Sequence, residues 1–266
     1  MDGRPIGIFD SGFGGLTVMA EIRKLLPRED LIYFGDTAHV PYGSKSKEVV
    51  TGYSADIAKF LLSKKVKMIV VACNTASAFA LPALKAKLKV PVIGVIEPGA
   101  KAALSVTLKR KIGVIGTEGT VKSSSYTKAL KRLDPRIRIF AVACPLFVPL
   151  VEEGWLKHPM TYRVAKEYIT PLVRKGVDTI VLGCTHYPLI KSVIKKTAGK
   201  SVSLIDSAAA TAVEVAGTLK NLGIESQRSK GGKCIFYVSD APAKFKLLGR
   251  KFMGQVITRI NKVAMR

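Results

Sequence analysis

The run Ile180-Val181-Leu182-Gly183-Cys184-Thr185-His186-Tyr187-Pro188 is an apolar stretch that ends at a cysteine flanked by hydroxyl and imidazole groups. It reads as a buried strand delivering a thiol to its carboxyl end, where ligands sit in open α/β sheets. The stretch has a twin. Ile69-Val70-Val71-Ala72-Cys73-Asn74-Thr75-Ala76 again runs from apolar residues through a small one to a cysteine and polar residues. Cys73 and Cys184 lie 111 positions apart, and Ile6-Gly7-Ile8-Phe9-Asp10-Ser11-Gly12 is echoed 106 positions later by Ile112-Gly113-Val114-Ile115-Gly116-Thr117-Glu118-Gly119. Nearly equal offsets predict two half-molecules of one plan rather than a short-period solenoid.

Between these stretches, strand and helix patterns alternate with no long β-only section, which predicts parallel sheets covered on both faces. The expected fold is α/β: two doubly wound parallel-sheet domains related by pseudo-symmetry, with the active site in the cleft between them. Residues 1–97 with 208–266 form the first expected domain and carry Cys73; residues 98–207 form the second and carry Cys184. Glu97-Pro98-Gly99 is the expected hinge. The two prolines of Cys144-Pro145-Leu146-Phe147-Val148-Pro149-Leu150-Val151-Glu152-Glu153-Gly154 argue against a regular helix across that segment. After an Ala-rich helix from about Ala208, the tail adds one strand, Cys234 to Val238, and a last amphipathic helix.

At 266 residues the chain is long enough for two domains with sizeable cores. Its four cysteines are widely spaced, without C-x-x-C or zinc-like clustering, and no signal peptide pattern leads into the first strand. The reading is a cytoplasmic protein with reduced thiols. The longest uncharged run, Met68 to Leu84, is split by Asn74, Thr75, Ser77 and Pro82, so no membrane span is expected. The net charge of +24 is spread over helix ends and polar faces, with no basic block interleaved with aromatics. That predicts at most non-specific attraction to nucleic acid.

Asp10-Ser11-Gly12-Phe13-Gly14-Gly15 is a glycine-rich strand-to-helix turn. It lacks the spacing of dinucleotide and P-loop fingerprints, so its N–H groups fit either a phosphate or a carboxylate. Asp36 to Ser44 is a polar loop that fits a surface turn, or a source of donors if it borders the cleft. Cys144 and Cys234 read as small buried hydrophobes. Cys73 and Cys184 differ, because each precedes a helix start whose partial positive charge is expected to lower a thiol pKa toward neutrality. A hydrolase would need one thiol, and a redox pair would need bonding reach. Two thiols facing one small cavity suit a base on one face of a carbon and an acid on the other.

D-S-G-x-G-G at Asp10 to Gly15, P-Y-G at Pro41 to Gly43, A-C-N-T-A at Ala72 to Ala76, C-P-L-F-V-P-L-V-E-x-G at Cys144 to Gly154 and G-C-T-H-Y-P at Gly183 to Pro188 together resemble the bacterial glutamate racemases of the aspartate/glutamate racemase family. The resemblance implies a cofactor-independent isomerase that interconverts L- and D-glutamate for peptidoglycan, acting as a homodimer. It implies that Cys184 takes the α-proton of L-glutamate while Cys73 delivers one from the opposite face. Asp10 would assist Cys73; His186, with Glu152, would assist Cys184. Asp10, Ser11, Pro41, Tyr42, Gly43, Asn74, Thr75, Thr117, Thr120, Thr185 and His186 would surround the substrate. Asp10 and His186 also fit helix-capping roles. Aspartate racemase, one substrate methylene away, is the near alternative.

Overall fold

The computed structural model describes residues 2–254, 257 and 259–265. It opens with β1 (Ile6–Asp10), α1 (Leu16–Leu25), β2 (Leu31–Gly35), α2 (Lys47–Ser63) and β3 (Met68–Val71). Helices α3 (Asn74–Phe79) and α4 (Leu81–Lys87) precede β4 (Val92–Gly94), and α5 (Ile96–Val106) carries the chain onward. The pattern then restarts with β5 (Lys111–Gly116), α6 (Glu118–Lys122), α7 (Ser125–Leu133) and β6 (Arg138–Ala143). Next come α8 (Phe147–Glu152), α9 (Pro159–Arg174), β7 (Thr179–Gly183), α10 (Lys191–Ala198) and β8 (Ser203–Asp206). The chain returns through α11 (Ser207–Leu222) to β9 (Cys234–Val238), α12 (Pro242–Met253) and β10 (Ile260–Lys262).

Among the described residues the strands form two sheets, ordered β10-β9-β2-β1-β3-β4 and β6-β5-β7-β8, with every neighbouring pair parallel. The segment β2-β1-β3-β4 of the first sheet and the whole of the second follow one plan. Strands β3 and β7, which end at Cys73 and Cys184, therefore hold equivalent places. The duplication read from the two sequence offsets is a duplication of topology.

Strands β1, β2, β3 and β7 are buried along their whole length, as expected where helices cover both faces of a parallel sheet. Ile8 and Val70 face α1 and α11 with Met19 and Val215, while Phe9 and Val71 face α2 with Ile57 and Leu61. In the second sheet Ile180 and Leu182 meet Leu172 and Ile194, whereas Val114 and Val181 meet Ala100 and Leu130. Each fully buried aliphatic side chain of this kind contributes about 1.5–3 kcal/mol.

Glu97-Pro98-Gly99, the expected hinge, lies in the first turn of α5; Pro98 is tolerated there because first-turn N–H groups have no partner within the helix. Two local expectations need correction. For the same reason α8 forms across Pro149, its third residue, where an irregular segment was expected. Finally, β10 pairs with β9, Ile260 opposite Phe236, as a short edge strand that the tail pattern did not announce.

Candidate active site

Parallel pairing sets the heights of the functional groups. Phe9 is level with Val71, so Asp10 and Ser11 leave β1 beside the exit of β3 toward Cys73. In the second sheet Gly116 is level with Gly183, which sets Thr117 beside Cys184.

Cys73 is the N-cap of α3: its Sγ accepts the Ala76 N–H at 3.5 Å and lies 3.7 Å from Ser11 Oγ, to which the thiol donates. Cys184 Sγ lies 3.9 Å from His186 Nδ1. His186 Nε2 in turn is 3.3 Å from Glu152 Oε1, an ion-pair distance without hydrogen-bond alignment. The other Glu152 oxygen accepts from Lys244 Nζ at 3.2 Å.

Asp10 is fully buried; Oδ2 accepts the Gly12 N–H at 2.9 Å and Oδ1 accepts the Thr185 hydroxyl at 3.4 Å. Burial pushes its carboxyl upward, opposed by His186 and by the Gly12 and Gly15 N–H groups. Burial likewise pushes Cys73 up to about 11, with the Asp10 charge adding to the rise, and pushes Cys184 up against a hydrogen bond from the His186 N–H. This reverses the expected direction for both thiols. They are 6% and 7% exposed, and loss of hydration outweighs the helix-end potential.

Ser11, Pro41, Tyr42, Gly43, Cys73, Asn74, Thr75, Thr117, Cys184, Thr185 and His186 line one narrow cavity of about 320 Å³, with Val40, Val148 and Gly183 completing its wall. No lysine or arginine is among them. Asp10 stands behind this wall. Thr120 joins it indirectly, in a triangle of hydroxyls: Thr75 to Thr117 2.8 Å, Thr75 to Thr120 3.3 Å and Thr117 to Thr120 3.0 Å. Tyr42 supplies its ring, but its hydroxyl is committed to Asp36 Oδ2 at 2.6 Å. Glu152 faces an adjoining cavity of about 1050 Å³ that shares Val40, Pro41, Gly43, Thr117 and Val148 with the first.

Two glycines let the halves approach. A Cβ on Gly14 would lie 2.2 Å from Thr185 Oγ1, and one on Gly43 2.6 Å from Thr117 Cβ. Tyr126, whose hydroxyl donates to Asn74 Oδ1 at 2.8 Å, and Lys244 are site-adjacent residues that sequence reasoning missed. Each is remote from every motif and carries no local signal. Val148, by contrast, lies inside a quoted motif. Among the described residues no group of three or more His, Cys, Asp or Glu side chains could hold a metal ion, and no helix is long and apolar enough to cross a membrane.

Residues 6–215 match the family model for Asp/Glu/Hydantoin racemase. A glutamate racemase of Geobacter metallireducens is 53% identical over 265 residues, covering 100% of this chain and 98% of the relative. The crystal structure of a glutamate racemase from Bacillus anthracis superposes with a TM-score of 0.96 at 41% identity, over 100% of this chain and 99% of that one. The glutamate racemase of Francisella tularensis, solved in complex with D-glutamate, gives 0.93 at 36% identity, again over 100% and 99%.

Proposed function

Since the chain belongs to the aspartate/glutamate racemase family and is an isomerase of the glutamate racemase group, we propose that it racemises glutamate by two-thiol proton transfer. The observation that carries this reading is the pair of thiols on equivalent strands, β3 and β7, lining one cavity from the two halves. Cys184 takes the α-proton of L-glutamate, and Cys73 protonates the opposite face. The roles reverse for D-glutamate.

The two thiols have different neighbours, which supports a division of labour. Cys184 faces the His186 imidazole, a group that accepts or returns the thiol proton. Cys73 faces Ser11, and burial, with the Asp10 charge adding to it, holds it as a thiol. With both sulfurs pushed toward the neutral form, one thiolate has to be generated as substrate enters, and the cationic α-ammonium group would favour it there. An α-proton is also a very weak acid. General base catalysis contributes typically 10²–10⁴-fold, so the rest of the acceleration has to come from hydrogen bonds to the substrate carboxylate as charge develops. Ser11, Asn74, Thr75, Thr117 and Thr185 with the Gly43 backbone supply those donors in this reading. The substrate is then held by neutral groups, and the +24 net charge belongs to the surface. Thr120 orients Thr117, and Pro41 and Tyr42 shape the wall.

To the same reading belong a division into residues 1–97 with 208–266 and residues 98–207, a homodimer, a cytoplasmic setting and a supply of D-glutamate to peptidoglycan. Circular dichroism of the purified, cofactor-free protein with L-glutamate tests the activity. Decay of the signal to zero supports it, and an unchanged signal or a strict cofactor requirement overturns it. Relative rates on glutamate and aspartate fix the chain length of the substrate.

A further inference from the structure

Tyr126 belongs to α7 of the second half, yet its hydroxyl donates to a side chain of the first, Asn74 Oδ1, at 2.8 Å. Both residues are 2% exposed. Asn74 directly follows Cys73 and lines the thiol cavity, while its Nδ2 is buried with no hydrogen-bond partner. An unpaired buried donor is costly, of order 1–3 kcal/mol, and a persistent one at a cavity wall points to a ligand that satisfies it. A side-chain amide has an acceptor end and a donor end of nearly equal shape, so some other group has to decide which end faces the cavity. Here the phenol hydroxyl, which can donate or accept, donates to Oδ1 and leaves Nδ2 as the end without a partner.

We infer that Tyr126 is a positioning residue for the substrate: it turns the Asn74 amide so that Nδ2 faces the cavity and donates to a carboxylate of the bound amino acid. The inference rests on the reading of Asn74 as a substrate-binding residue. Gly99 of α5 makes room for the arrangement, since a Cβ there would lie 3.1 Å from the Tyr126 hydroxyl. Because the bond spans the two halves, the amide is aligned only when they are closed on each other. Closure and carboxylate recognition are thereby coupled through one hydroxyl.

The test compares wild type, Tyr126→Phe, Asn74→Ala and the double variant by steady-state racemisation of L-glutamate and by calorimetric binding of D-glutamate. Tyr126→Phe removes one oxygen and preserves shape. It is expected to raise KM and the D-glutamate Kd about tenfold, the worth of one buried hydrogen bond, with a smaller change in kcat. In the Asn74→Ala background the same change is expected to add nothing, since a residue that acts through another is not additive with it. Asn74→Asp, which keeps an acceptor for Tyr126 and removes the donors, is expected to weaken D-glutamate binding at least as much as Asn74→Ala, which tests the donor role of Nδ2 on which the inference rests. If Asn74→Ala binds normally, the assignment of Asn74 fails and the inference falls with it. If Asn74→Ala binds weakly while Tyr126→Phe stays within twofold of wild type, or the two losses multiply, the inference alone is overturned.

Discussion

Asp10 and Thr185 meet across the two halves, the Thr185 hydroxyl donating to Asp10 Oδ1 at 3.4 Å. A carboxyl group from the Cys73 side thus touches the residue beside Cys184. Its charge also raises the Cys73 pKa, second only to burial. Asp10→Asn keeps an acceptor for the Gly12 N–H and removes the charge. The Cys73 thiol should then titrate below the wild-type value of about 11, read as thiolate absorbance in a Cys184→Ala background.

At Gly14 the first half packs tightly against the segment that follows Cys184. Gly14→Ala would bring a Cβ 2.2 Å from Thr185 Oγ1 and 2.8 Å from His186 Nδ1, displacing both residues that follow Cys184. Because a misplacement of about 1 Å can lower turnover about 10²-fold, kcat/KM should fall by at least that factor. The comparison is with Gly52→Ala, where a Cβ meets nothing within 4 Å.

Glu152 sits between His186 and Lys244. Burial raises its carboxyl, and its interactions with His186 and Lys244 outweigh burial and hold it below the usual range. Lys244→Met should let burial reassert itself and move the acid limb of kcat/KM to higher pH. Lys244 is half-exposed, and an exposed pair contributes about 0.2–1 kcal/mol, so the expected movement is about half a pH unit. Lys244→Arg should restore the wild-type limb.

The buried thiols make stability fall at alkaline pH. The folded-state pKa of Cys73, about 11, stands above the ordinary value of 9.0. The folded state therefore holds its proton more tightly than the unfolded chain, and the contribution is fully present below about 9 and lost as pH rises toward 11. Urea midpoints at pH 8 and pH 10.5 should separate for wild type by more than for Cys73→Ala, by an amount on the order of 2 kcal/mol.

Strand positions were legible because they depend on local pattern: Ile69 to Ala72 and Ile180 to Gly183 are apolar runs that end in chemistry, and repetition marked them as equivalent. The cavity wall was legible where it lay within a few residues of those ends. Tyr126 and Lys244 were not, since each reaches the site from a helix far along the chain through a contact that only the packed fold creates. The thiol pKa direction was misread because helix-end potential is visible in a sequence and loss of hydration is not. Pro149 was over-weighted as a breaker because its place within the first helical turn depends on where the helix starts.

The two-thiol account predicts where hydrogen comes from, because two monoprotic sulfurs on opposite faces of a carbon cannot pass one proton between them. Early in turnover of L-glutamate in deuterated water, the D-glutamate formed should carry deuterium at the α-carbon while the recovered L-glutamate carries almost none. Cys73→Ala and Cys184→Ala should each abolish racemisation, retaining at most exchange into L-glutamate and D-glutamate respectively. Early deuterium in recovered substrate, or racemisation that survives loss of either thiol, would contradict the assignment of one base to each face.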